Sequence, residues 1–377
     1  MLISGGKVFD AEKGFCERDL CFEGESISSK SEDGKVFDAS NCYVIPGLID
    51  LHFHGCAGED FSDASYEGLC KMADFELLHG VTHICPAGMT LPEEQLTKIC
   101  ENALKFKREQ TSGAELVGVN MEGPFLCASK KGAQNGAFLH DPDSEMLSRL
   151  QKAAGGLVKL VTVAPEQPNA TEFIKDAVKG GVNVSVGHTT ADYETACAAF
   201  EAGARQATHL FNAMPPFTHR APGVVGAAFD SQGVMAELIC DGVHIHGSVV
   251  RAVFRLFGPE RVILISDSLR ATGMPDGKYP FGGQEIVLKG NRATLADNPD
   301  TLAGSVSSLM DCMRQAVRFG IPLEDAVRAA SLNPAKALGI DDRAGGLEEG
   351  KQACAVVLDE KDLSIKAIFQ NGKKVEL

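Results

Sequence analysis

Apolar, β-branched runs recur through the middle of the chain. They are VIPGLIDLHFHG from Val44, GVTHICPAG from Gly80, AELVGVNMEGPF from Ala114 and VKLVTVAPE from Val158. The series continues with GVNVSVGHTT from Gly181, RQATHLFNAM from Arg205, GVMAELICDGVHI from Gly233 and RVILISDS from Arg261. Most are separated by stretches of helical character such as SYEGLCKMADFELLHG and ADYETACAAFEAGA. Eight strand–helix units in succession predict a (β/α)8 TIM-type barrel. A doubly wound open sheet is the alternative, but no glycine-rich nucleotide fingerprint follows an early strand.

The ends have a different texture. The first 40 or so residues alternate short β-like pieces with turns, and GGLEEGKQACAVVLDEKDLSIKAIFQNGKKVEL resumes the pattern, with Asn371-Gly372 a hairpin signal. We expect one small β-sandwich domain built from residues 1–46 and 346–377, around a barrel of residues 47–345. Within the barrel segment, ATGMPDGKYPFGGQEIVLKGNRATL predicts a β-hairpin excursion, and helical pieces follow from Ser305 through SLNPAKAL.

Composition narrows the function. A net charge of −15 lacks the basic footprint that non-specific nucleic-acid binding requires, but leaves room for a locally positive pocket. No apolar run approaches the roughly 18 residues of a membrane span. The opening stretch MLISGGKVFDAEKGF lacks the order of a signal peptide. Twelve cysteines without CxxC pairs read as reduced thiols. Cytoplasmic residence is the expectation.

In such barrels chemistry sits at the C-terminal ends of the strands. There the runs place His52 and His54, then Glu122, His188, His209, the Asp241/His244/His246 group, and Asp267. A single strand-end histidine is more often a hydrogen-bonded surface group, and a single acid more often a helix cap. Four histidines and two carboxylates converging on one rim instead suit a divalent metal. His79 and His83 flank the start of the second strand and are expected at the opposite rim. His140 sits in a polar loop and is given no role.

The order HxH, Glu, His, His, Asp is similar to that of the metal-dependent amidohydrolase superfamily. The strings NMEGPF, KKGAQN, VGHTTADY, THLFNAM and TLAGS resemble its N-acetylglucosamine-6-phosphate deacetylase family over essentially the whole chain. The resemblance implies a metal on Glu122, His188 and His209, with Asp267 as catalytic acid/base. His52 and His54 make a second ion chemically feasible, so one or two ions per subunit are expected, zinc or iron. It implies a phosphosugar substrate met by Ala133, Gln134, Asn212, Ala213, His244 and the backbone at Leu302, Ala303 and Gly304. It also implies a homodimer in which Arg220 reaches the phosphate in the neighbouring subunit. The reaction implied is hydrolysis of the acetamide of N-acetylglucosamine 6-phosphate to glucosamine 6-phosphate and acetate.

Two departures stand out. Gln134 replaces a histidine that contacts substrate in some relatives, and an amide cannot become a cation. Cys354 stands where the superfamily usually places an aspartate, which we assign to the small domain. Three other readings are open: the galacto isomer as substrate, a cyclic amide, and a non-catalytic paralogue. Cyclic amidases bridge two metals with a carboxylated lysine at the end of the fourth strand. Here Lys159 opens that strand and Glu166 follows it.

Overall fold

The structure is a computed structural model describing residues 1–30 and 34–377; residues 31–33, inside the expected terminal domain, lie outside the described residues. The apolar runs form parallel strands, shorter than the runs themselves. The first is Leu48–Asp50, the second Val81–Ile84 resuming at Ala87–Gly88, and the third Glu115–Leu116 with Val119–Met121. The fourth to eighth are Val158–Val163, Asn183–Val186, Gln206–Ala207, Met235–Ile239 and Val262–Ile265. Each pairs in parallel with the next in chain order.

Beyond the eighth strand the chain returns to the first. The Asp267 amide donates to the His52 carbonyl at 2.9 Å, and the His54 amide to the Ser268 carbonyl at 2.7 Å. Sequential parallel strands, linked rim to rim in this way, make a barrel of the TIM type. Helices flank it where the sequence predicts them. Tyr66–Leu78 is capped by Ser65 and Tyr193–Ala202 by Asp192, whose side chains accept from Gly68 and Thr195 backbone amides.

The barrel interior beneath the C-terminal rim carries a buried polar layer. Thr208 Oγ1 hydrogen-bonds to Ser185 Oγ at 2.6 Å and to Thr162 Oγ1 at 3.1 Å. At the other rim buried His83 contacts Gln352 at 2.8 Å, and Glu115 pairs with Lys107 at 2.7 Å and Arg343 at 3.2 Å. Both early histidines are remote from the converging strand ends; His79 bonds to the Phe75 carbonyl and stacks on its ring.

The excursion after the eighth strand is larger than the expected hairpin. It is a three-stranded antiparallel sheet of Gly277–Phe281, Gln284–Lys289 and Arg292–Leu295. The third strand lets Ile286, Leu288, Ala293 and Leu295 bury a common face that two strands would leave half-covered.

Segments from both ends of the chain share a six-stranded sheet. In it Cys42–Pro46 pairs antiparallel with Ala355–Asp359, with Val44 opposite Val357. A four-stranded sheet of N-terminal segments packs onto it, Phe22 and Phe37 lying 5.6 and 5.4 Å from the Phe369 ring. Asn371 and Gly372 both have positive φ, as a tight two-residue hairpin turn requires. Gly47 joins this sheet to the barrel, and a Cβ there would lie 2.1 Å from Thr82 Oγ1. Cys354 is buried in this region, its thiol beside Asn371. Among the described residues no helix is long and apolar enough to cross a membrane.

Candidate metal centre and substrate cavity

His52, His188, His209 and Asp267 each lie two residues beyond the end of their strand, and Glu122 lies one beyond. There the chain is turning, and the backbone is unusual. His188, His209 and Asp267 have φ of +48°, +26° and +48°, a region that residues with a Cβ rarely adopt. Neighbouring hydrogen bonds hold the turns: Asp267, for instance, donates to the His52 carbonyl and accepts from the Ser305 amide at 2.8 Å.

Glu122 stands at the centre. Its Oε1 lies 3.0 Å from both His188 Nε2 and His209 Nε2, and 3.4 Å from His52 Nε2. Its Oε2 lies 3.1 Å from His54 Nε2. Asp267 Oδ1 approaches His54 Nε2 at 3.4 Å and His52 Nε2 at 3.7 Å. Two triads result, His52/His54/Glu122 and Glu122/His188/His209, with the donor atoms of each within 4.8 Å of one another.

The other ring nitrogens explain why the Nε2 atoms serve as donors. His188 Nδ1 faces the Lys130 carbonyl at 2.8 Å, His54 Nδ1 the Ala87 carbonyl at 3.1 Å, and His52 Nδ1 the Glu237 carboxylate at 2.8 Å. Each partner is an acceptor, so each Nδ1 carries a proton and each Nε2 is left to take either a second proton or a cation. His188 and His209 bring their Nε2 atoms to 3.0 Å of one another, and the buried His52 Nε2 has no hydrogen-bond partner among the described residues. Lone pairs and a carboxylate this close repel unless positive charge lies among them.

The acid–base balance agrees. Burial opposes a charge on His52 and His54, but Glu237 with Glu122 holds the first well above its usual range, and Asp267 with Glu122 raises the second to about 10. Glu122, despite its burial, is held well below the carboxylate range by the His52 and His188 charges. The cluster calls for positive charge, which protons or a divalent cation supply. The donor set fits such an ion.

Above the cluster lies a cavity of about 400 Å³. Its walls include Ala133, Gln134, Asn212, Ala213 and His244, together with Leu302, Ala303 and Gly304. His244 Nδ1 donates to Asp241 Oδ2 at 2.7 Å, which leaves its Nε2 as an acceptor. Gly304 approaches closely: a Cβ there would sit 3.0 Å from the Asp267 carbonyl oxygen, at a φ of +133°. Gln134 lines the cavity, but both ends of its amide are engaged. It donates to Glu122 Oε2 at 2.6 Å and accepts from the Thr90 amide at 2.7 Å. Arg220 is exposed in its loop and is not part of this chain's cavity wall.

Three residues escaped the sequence reading. Lys130 brings a cation to the cavity wall, Phe281 packs edge-on against His54 at 5.5 Å, and Glu237 holds His52 from behind. The paired lysines before Gly132 and the one acid inside the AELIC run were available signals; Phe281 had none. Glu166, by contrast, accepts from the Thr190 amide and hydroxyl, and Lys159 lies near the start of its strand, so among the described residues no lysine stands at the end of the fourth strand.

This constellation is that of a metal-dependent hydrolase, and the chain belongs to the Amidohydrolase family, whose pattern it matches over residues 43–375. Its similarity extends to particular enzymes. The N-acetylglucosamine-6-phosphate deacetylase of Bacillus subtilis is 39% identical over 319 residues, 84% of this chain and 80% of that protein. The Bos taurus deacetylase of the same name is 35% identical over 99% of this chain and 90% of its own length. The crystal structure of the Mycobacterium smegmatis N-acetyl-D-glucosamine-6-phosphate deacetylase superposes with a TM-score of 0.93 at 33% identity, covering 100% of both chains. A mutant of that enzyme, solved in complex with N-acetyl-D-glucosamine-6-phosphate, superposes with a TM-score of 0.91 over 99% of this chain and 98% of its own.

Proposed function

We infer that the protein hydrolyses the acetamide of N-acetylglucosamine 6-phosphate, yielding glucosamine 6-phosphate and acetate. The observation that carries this reading is the cluster of His52, His54, Glu122, His188, His209 and Asp267, of which all but the fully buried His52 line a sugar-sized cavity. Glu122, His188 and His209 would hold one divalent ion, zinc or iron, and His52 and His54 with Glu122 a second. Such an ion lowers the pKa of water and polarises a carbonyl. Asp267 accepts the proton of the attacking water and delivers it to the departing amine, the task an amide's poor leaving group requires. His244, held by Asp241, and the backbone at Ala133, Ala213 and Gly304 orient the sugar and its acetyl group.

The phosphate needs cations on an acidic protein. Lys130 supplies one from the cavity wall, and Arg220 of a second subunit supplies a bidentate fork in the homodimer we propose. Residues 1–46 and 346–377 form a small β-sandwich domain beside the barrel of residues 47–345, a reading the Phe22–Phe369 packing supports. The free thiols suit a reducing cytoplasm.

The test is an acetate-release assay on the gluco and galacto 6-phosphorylated N-acetylhexosamines, with metal content measured on the same sample. Release from the gluco substrate by metal-loaded protein is expected. No release from either substrate by metal-loaded protein would overturn the reading.

A further inference from the structure

We propose that Glu237 is a positioning residue shared by both ligand triads, a role that rests on the metal-ligand reading above. Glu237 lies within the seventh strand, fully buried, where a carboxylate without donors is strongly unfavourable. It is matched by three donors from two segments, one after the first strand and one along the sixth. Its Oε2 accepts from His52 Nδ1 at 2.8 Å and from the His209 amide at 3.1 Å, while Oε1 accepts from Gln206 Nε2. Its own carbonyl accepts from the Leu210 amide at 2.8 Å.

Two of these bonds bear on the metal centre in different ways. The bond to His52 fixes that ring's tautomer and aims its unpartnered Nε2 at Glu122. The bond to His209 holds a backbone whose φ of +26° is unfavourable for a residue with a Cβ, and so sets where the His209 ring meets Glu122 and His188. One carboxylate thus orients a donor of the first triad through its ring and a donor of the second through its backbone.

The experiment strips the purified enzyme with a chelator, reloads it with Co(II), and measures stoichiometry, affinity by competition and the visible d–d spectrum. Glu237→Gln keeps the volume and an acceptor but removes the charge; Glu237→Asp keeps the charge and withdraws it by one methylene. Circular dichroism confirms the fold of each. Every Co(II) step shown by the wild type should weaken 10- to 100-fold in both variants, with an altered spectrum. Affinities within twofold of wild type would overturn the proposal. So would failure of both variants to fold, which would make Glu237 a structural residue. A wild type that takes up no Co(II) would instead overturn the ligand reading, and this inference with it.

Discussion

Replacing Gln134 with alanine separates two ways in which that residue could serve the enzyme. The side chain is buried, donates to Glu122 Oε2 at 2.6 Å and accepts from the Thr90 amide at 2.7 Å. Truncation removes a hydrogen bond to a charged acceptor, worth about 1.5–3 kcal/mol, and leaves a buried N–H without its partner, costing about 1–3 kcal/mol. The adjoining cavity lets water repair part of the loss, so the net effect on stability is about 3 kcal/mol. At roughly 2–4 °C per kcal/mol for a large domain, the melting temperature falls by about 6–12 °C. Glu122 also loses the contact that orients one of its oxygens, and metal affinity falls about 10- to 100-fold. The assay pairs thermal melts with metal titration and steady-state kinetics. Activity should be low at limiting metal, recover with excess metal, and show a KM little changed. Gln134→His, whose ring offers one donor and one acceptor at similar separation, should recover most of the metal affinity. A tenfold rise in KM with unchanged metal affinity would refute this account and make Gln134 a direct substrate contact.

Other outcomes follow from the same geometry. Asp267→Asn should retain metal and lose about 10²–10⁴-fold in kcat; near-normal turnover would remove Asp267 from the proton transfer. Arg220→Ala should raise KM about 10- to 100-fold for the phosphorylated sugar but leave KM for unphosphorylated N-acetylglucosamine unchanged, as expected for a lost charge-assisted pair; equal KM effects on both substrates would exclude a phosphate role. Glu115, though half-buried, is held at about 2 by His83 and Lys107. Its folded-state pKa lies below its unfolded one, so the stabilisation is present above about pH 4.5 and disappears as the pH falls through about 2. Glu115→Gln should therefore cost about 3 kcal/mol in denaturant melts at pH 7 and almost nothing at pH 2.

The strand ends were legible because a barrel that brings eight strands to one rim turns a linear list of His, Glu and Asp into a place. His52, Glu122, His188, His209 and Asp267 needed only that rule, since each lies within two residues of its strand's end. What supports them was harder to see. Glu237 sits inside a strand, where an acid in an apolar run has no local partner and its meaning depends on His52, 185 residues away. Phe281 reaches His54 from a sheet whose docking no periodicity encodes. The double engagement of Gln134 depends on Thr90 and Glu122 coming from different strands. The excursion reads as a hairpin from its turns, and only the shared burial of its third strand reveals a sheet.

The pairing of Cys42–Pro46 with Ala355–Asp359 has a consequence in time as well as in space. On a ribosome adding 5–20 residues per second, the earlier strand waits roughly 15–60 s for its partner to be synthesised. During that wait Val44 and Ile45, fully buried in the finished protein, have no native cover on that edge. The barrel's first strand is tethered directly to them through Gly47, so the nascent chain carries an open sheet edge just before His52 and His54. Limited proteolysis of stalled chains should find cleavage near Cys42–Pro46 until the strand at Ala355–Asp359 has emerged, and protection afterwards.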